Sequence, residues 1–249
     1  MRYRAEITEK EQLPEAIAIG SFEYVYAPME FLKVNTPEKE RIIAVPPVFL
    51  GGNESAVAEH LRKLREWGFT SALAHTLGHI ELIKSVELIK SAGLTPRGGF
   101  RLNITNSIAQ RKYEESGLAD GIFSVELSRK SISVTERGIP MGIMAYGHMP
   151  MMIMRRCPVR DDKPCGKNGC NKLTDRQGKI FRTYCRYEEV EILNPEPIVL
   201  SDTLADVSAD FIVLRFTKGD NITRILREYE QGAKHDGKFT RGLFYKKVK

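Results

Sequence analysis

The residues with the plainest chemical meaning are four cysteines, Cys157, Cys165, Cys170 and Cys185, which fall within 29 residues in the run RRCPVRDDKPCGKNGCNKLTDRQGKIFRTYC. Thiolates gathered in this way suit a soft metal centre, which takes several sulfur ligands, and Pro158, Gly166 and Gly169 let the backbone fold tightly around one. Structural zinc is usually held by paired C-x2-4-C knuckles. Here the gaps leave seven, four and fourteen residues, so only the middle pair matches a knuckle. An iron–sulfur cluster tolerates such spacing better, with zinc as the alternative. The plain reading is a cluster of thiols without a metal, or an ion that merely staples the loop.

Other side chains offer weaker signals. A peptidase needs an activated nucleophile or a metal-bound water, and the chain has no H-E-x-x-H helix, no G-x-S-x-G elbow and no cysteine-protease signature. His75 and His79 in AHTLGHIEL are four residues apart, the spacing of two zinc ligands on one helix face. The expected strand-to-helix boundary falls between them, however, which assigns one to a strand end and the other to a helix cap or first turn. Tyr146 ends an expected sixth strand and His148 follows it, and Glu126 ends a fifth, at the rim where barrel enzymes build their active sites. These three are the candidate catalytic groups, as proton donors, acceptors or substrate holders; packing beneath the cysteine loop, or helix capping by Glu126, is the plain alternative. Arg101 and Asn103 in FRLNITNS end the fourth expected strand and are candidates for binding an anionic or amide-bearing substrate. Asn106 reads equally well as a helix cap. Arg155, Arg156, Arg160, Lys163, Lys167, Lys172 and Arg176 surround the cysteines and would attract RNA phosphates, although a solvated loop is also basic. Met149, Met151, Met152 and Met154 read as packing rather than as a metal site.

These residues must be held by something, and the pattern up to about residue 145 alternates short apolar runs with amphipathic stretches, the rhythm of βα units and a parallel sheet. Strands are expected at Glu23–Ala27, Arg41–Pro46, Ser71–His75, Gly98–Asn103, Gly121–Glu126 and Gly142–Tyr146. Helices are expected at Ser55–Trp67, where Val57, Leu61, Leu64 and Trp67 recur with a 3.6-residue period, and at Ile80–Ser91. Residues 149–194 break the rhythm and read as a cysteine-rich insertion after the sixth strand. The rhythm returns with Pro197–Ser201, a short helix around Asp202–Val207, the strand Asp210–Phe216 and a helix near Asn221–Gly232. Eight strands in this order predict an α/β fold, a TIM-like (β/α)8 barrel, complete or incomplete, spanning residues 1–249 as a single domain.

With 249 residues and 42% hydrophobic content the chain can bury a core. Lys+Arg 38 against Asp+Glu 32 gives a formal net charge of +6, a lean toward polyanions such as RNA. No apolar run approaches the roughly 18 residues of a membrane span, and MRYRAEITEKEQ lacks a signal-peptide core, so a cytoplasmic protein without a membrane partner is expected. In a reducing compartment, four cysteines favour metal ligation over disulfides.

The block AYGHMPMMIMRRCPV, then PCGKNGC, the cysteine of RTYC, ILNPEPIVLSDTLADV and finally FTRGLFYKK resembles the collagenase-like peptidase family, U-thirty-two, of unassigned mechanism. The resemblance runs over essentially the whole chain and is most specific over residues 143–245. It implies a TIM-like barrel whose four cysteines hold a four-iron, four-sulfur cluster, here Cys157, Cys165, Cys170 and Cys185. It implies Tyr146, Gly147 and His148 as the motif before them and Thr240, Arg241 and Gly242 as the terminal signature, with Arg241 toward substrate. Members resemble hydroxylation enzymes for tRNA and rRNA bases or ubiquinone precursors, while others carry a peptidase label. The implied function is hydroxylation of an RNA base. Cleavage of collagen-like or other peptides is the alternative, and a non-enzymatic, metal-stabilised module of a longer protein is a third. The chain departs from the family where an acidic-Gly-Arg motif would end the last strand: here the run is VLRFTKGD, with Arg215 and Phe216 in those places.

Overall fold

Charged residues at every second position of RYRAEI leave the remaining positions apolar, the two-residue period of a strand. In the computed structural model, which describes residues 1–85, 93–158, 172–187 and 189–245, this segment is the first strand. In chain order the elements are β1 (Arg2–Ile7), α1 (Leu13–Ala18), β2 (Phe22–Pro28), β3 (Ile42–Val45), α2 (Glu54–Glu66), β4 (Ser71–Ala74), α3 (Leu77–Ser85), β5 (Thr95–Gly98), α4 (Ser107–Glu115) and β6 (Gly121–Ile122). There follow α5 (Arg129–Val134), β7 (Met141–Gly147), β8 (Pro150–Met154), β9 (Lys172–Thr174), β10 (Ile180–Arg186), β11 (Glu189–Leu193), β12 (Ile198–Val199), β13 (Phe211–Phe216) and α6 (Ile222–Glu230).

Eight strands are parallel neighbours in the order β6, β7, β13, β1, β2, β3, β4, β5, so the fold is mixed α/β with a parallel sheet. Regular pairing does not run full circle. The outermost strands β5 and β6 meet through two backbone hydrogen bonds, Gly98 N to the Asp120 carbonyl at 2.8 Å and Ala119 N to the Pro96 carbonyl at 3.0 Å. Gly98 permits this approach, since a Cβ there would lie 2.8 Å from Leu118 and 3.1 Å from the Asp120 carbonyl oxygen.

The count of eight expected strands is reached differently from the way the sequence suggested. β1 is an additional strand, passed over because its charges resemble a surface segment. Pro197–Ser201 is not a parallel strand: β12 has two residues and pairs antiparallel with β7. The strands expected at Gly98–Asn103 and Gly121–Glu126 are shorter and shifted, because Phe100–Leu102 turns as a 3-10 helix and β6 ends at Ile122. α2 and α6 fall where the periodicity put them, and α6 buries Ile222, Ile225, Leu226 and Tyr229 at helical spacing. The residues around Asp202–Val207 form a 3-10 helix, Ser201–Asp206. The helix expected at Ile80–Ser91 is described only as α3, its remainder lying outside the described residues.

The face of the sheet that carries Arg4 is its inside. Arg4 pairs with Asp120 at 2.8 Å, linking β1 to the residue before β6, and Arg97 of β5 donates to Tyr24 Oη of β2 at 2.8 Å. These strands are not sheet neighbours, so the sheet curls around the contacts. Arg4 also lies 3.4 Å from the centroid of the Phe211 ring. That ring covers Gly142, where a Cβ would come within 2.2 Å of it.

The residues between β7 and β12 build a second, antiparallel sheet in the order β8, β11, β10, β9. It follows the seventh parallel strand rather than the sixth. Cys165 and Cys170 lie outside the described residues. Among the described residues no helix is long and apolar enough to cross a membrane.

Candidate functional site

The second sheet lies against the carboxyl ends of the parallel strands, held by polar contacts. Tyr184 Oη donates to the Thr8 carbonyl, and Tyr187 Oη donates to the Val45 carbonyl at 3.1 Å. Glu189 accepts from the Val48 amide at 3.0 Å and from the Phe49 amide. Arg155 donates to the Gly51 carbonyl at 2.7 Å. Between the two layers is a cavity of about 20 Å3, lined on the side of the parallel sheet by Glu6, His75, Arg101 and Arg215 and from above by Tyr184, Arg186, Glu189 and Glu191. That is room for about one water.

At its centre Arg215, fully buried, donates from Nε to Glu6 at 3.0 Å, from Nη2 to Glu191 at 2.7 Å and from Nη1 to the His148 carbonyl at 2.9 Å. Glu6 stands beside it in register on β1, whereas Glu191 comes from the second sheet. Arg101 binds the other oxygen of Glu191. Burial alone would push the Glu191 carboxyl up, but Arg215, Arg101 and Arg186 outweigh it and hold Glu191 below the usual carboxylate range. Glu189, buried with backbone amides as its donors, is pushed up instead. Burial raises Tyr184 to about 12.

His75, just past β4, is held well below its ordinary value by burial, helped by His79, Arg101 and Arg186. It is therefore neutral at pH 7. Its ring bonds to the Pro46 carbonyl, while Nδ1 is buried with no partner and lies 3.4 Å from where a Cβ on Gly99 would stand. His79, in the first turn of α3, is satisfied: Nε2 donates to the Pro47 carbonyl at 2.8 Å and Nδ1 bonds Thr76 Oγ1 at 2.8 Å. The pair is no zinc site on one helix face.

Of the residues singled out in the sequence, Arg101 lines the cavity, and His148 reaches it through its backbone carbonyl while its ring donates to the Asn194 carbonyl at 2.7 Å. Tyr146 lies on the far side of β7, among Phe216, Tyr229 and His235, and donates to Asp220 at 2.9 Å. Glu126 and Asn103 are exposed; Ser128 caps α5 and Asn106 caps α4, the latter accepting from the Ala109 amide at 2.8 Å. Arg241 binds Asp202 and the Val199 carbonyl, tying the C-terminal segment to β12. Arg156 is exposed, and Met151 and Met152, read as packing, are exposed too.

Cys157 and Cys185 are half-buried. β8 and β10 both run antiparallel to β11, and Cys185 is linked through Val190 to Met154, three residues before Cys157. The two cysteines thus emerge at the same end of the sheet. The strand alternation that points Tyr184 and Arg186 into the cavity turns Cys185 to the opposite face. Among the described residues no group of three or more His, Cys, Asp or Glu could hold a metal.

The sequence reading did not select Glu6, His75, Tyr184, Arg186, Glu189, Glu191 or Arg215 for the site. A legible signal existed in FIVLRF, where one charge closes an otherwise apolar strand at the end where barrel sites form.

No family model and no curated protein matches the chain. A solved structure, that of the U32 peptidase Mk0906, matches with 8% identity and a TM-score of 0.48 over 89% of this chain and 95% of that one. A likeness that distant assigns neither family nor chemistry.

The histidine gives a pH signature. Its folded value is depressed, so its contribution to stability is intact above about pH 6.5 and is lost as pH falls below, where the unfolded chain takes up a proton that the folded one refuses. The His75 imidazole resonances should not move between pH 8 and 5.5, and His75→Asn should flatten the loss of urea stability over that window. A His75 titrating near 6.5 would contradict the burial argument.

Proposed function

We propose that the parallel strands close as a (β/α)8 barrel and that the chain is a cytoplasmic enzyme acting on RNA, the nucleotide entering between the barrel mouth and the second sheet. The observation that carries this reading is the placement of Lys172 directly opposite Arg182 in the β9–β10 pair. Like charges facing one another across a ladder are destabilising, unless an anion lies between them. Arg182, Tyr184 and Arg186 share one face of β10 by the strand period, so the exposed basic pair continues along the same face into the cavity. Arg176 and Lys179, both exposed, flank the turn, whose acid, Asp175, already accepts from the Gln177 and Lys179 amides at 2.8 Å each. A phosphate backbone following this strand would deliver a base to Arg101, Arg186 and the bare Nδ1 of His75.

Hydroxylation of an RNA base is the reaction that the resemblance to the collagenase-like peptidase family adds to this reading. Cys157 and Cys185, at one end of one sheet, fit two ligands of a single cluster, with Cys165 and Cys170 as the others. A bound iron–sulfur cluster supplies one-electron chemistry. With Cys185 turned away from the cavity, binding and orienting the base falls to Arg101, Arg186 and His75. The peptidase alternative lacks a comparable observation: among the described residues no serine, threonine or cysteine lines the cavity.

For single-stranded RNA, log affinity should fall linearly with log salt, and replacing Lys172 and Arg182 together by Gln should make that slope shallower by about 1.4, two contacts at about 0.7 each. An unchanged slope, or no binding by the unaltered chain, would refute the RNA reading. Protein purified without oxygen should be brown and yield about four irons per chain. Cys185→Ser should lose iron, and a colourless preparation holding one zinc would overturn the cluster.

A further inference from the structure

Two arginines of the barrel, Arg101 and Arg215, converge on one carboxylate, and that carboxylate belongs to the second sheet. Arg215 has a partner of its own within the barrel, Glu6, whereas Arg101 has no other ion pair among the described residues. The floor therefore presents a guanidinium pair whose charge is balanced only when something from outside the barrel is seated on it. Carboxylates and phosphates fit guanidinium forks with the same planar, two-oxygen geometry. The cavity as it stands has room for about one water, so no ligand joins Arg101 and Arg215 while Glu191 is there.

Next to this carboxylate two further polar atoms are buried without a partner, Glu6 Oε2 and His75 Nδ1. Both line the same cavity. One is a carboxylate oxygen and the other a ring nitrogen whose partner nitrogen already serves the Pro46 carbonyl, so both call for a donor. Buried acceptors without a donor call for an explanation, and beside a filled anion site a ligand larger than the group now in it supplies one.

We infer that Arg101 and Arg215 form an oxyanion-binding site, that Glu191 occupies it as an internal stand-in for the ligand, and that the ligand carries hydroxyl or N–H donors beside its oxyanion for Glu6 and His75. Entry of that ligand displaces Glu191 and releases the second sheet from the barrel mouth. The inference rests on the cavity being the substrate site, and not on the substrate being RNA.

The test is titration of inorganic phosphate into the full chain, followed by calorimetry, for the unaltered protein, for Glu191→Gln, and for Glu191→Gln combined with Arg101→Met. The expected result is a gain of ten-fold or more in phosphate affinity for Glu191→Gln, lost again on adding Arg101→Met. No gain, or a gain that survives Arg101→Met, overturns the inference. Hydrogen exchange on the unaltered chain provides a readout free of any folding defect in the variants. Saturating phosphate should speed exchange several-fold at the Val48 and Phe49 amides, which are bonded to Glu189 of the displaced sheet, and unchanged or slower exchange there overturns the displacement. Acetate in a parallel titration separates a site for any oxyanion, where both ligands show the gain, from one for phosphoryl groups, where phosphate alone does. A chain that fails to bind RNA yet shows the phosphate gain loses the RNA reading and keeps the anion site.

Discussion

Arg215 carries a charge that cannot be released and has almost no surface in water. Such a guanidinium persists in a core only where carboxylates and carbonyls answer each of its faces, because removing the charge from water costs several kcal/mol. The answer here is divided between two layers: Glu6 lies beside it on β1, the His148 carbonyl leaves β7, and Glu191 descends from the second sheet. The same group therefore ties neighbouring strands of the parallel sheet together and fixes the second sheet over their carboxyl ends. Burial pushes the Glu191 carboxyl up, yet the arginines around it hold it below the ordinary range, which fits a charge that the site needs ionised.

Deeper inside, Arg4 and Arg97 converge on Asp120 in the same way. Phe211 lies over Gly142 and beneath the Arg4 guanidinium, closing the interior on that side. Charged groups thus occupy the interior at both levels, and the cavity lies toward the carboxyl ends of the strands. His75 and Arg101 stand at that end. Cys185 sits on the other side of the second sheet, so its thiol and the cavity are separated by one layer of backbone.

Periodicity made most of the βα rhythm legible, because α2 and α6 each bury one stripe of apolar side chains and β2, β3, β4, β7 and β13 are apolar runs. It failed where the curled sheet is polar inside. Arg4 and Glu6 look like surface residues unless the strand is known to face other charges across the interior, a contact between segments more than a hundred residues apart. β5 and β6 were misplaced because a Gly-Gly pair and a two-residue strand leave little pattern to read. Arg101 could be picked out as a charge at a strand end. Glu189 and Glu191 could not, since the alternation in EVEIL shows only that they share a face, and which face meets the parallel sheet is decided by tertiary packing.

The dependence of the second sheet on Arg215 can be measured directly by a double-mutant cycle with Arg215→Met and Glu191→Gln, each variant unfolded in urea. A pair that joins the two layers predicts a coupling free energy above about 1.5 kcal/mol, as found for close, desolvated charge pairs. Changes that add within about 0.5 kcal/mol would mean that the two groups act independently and that the second sheet is held by its other contacts.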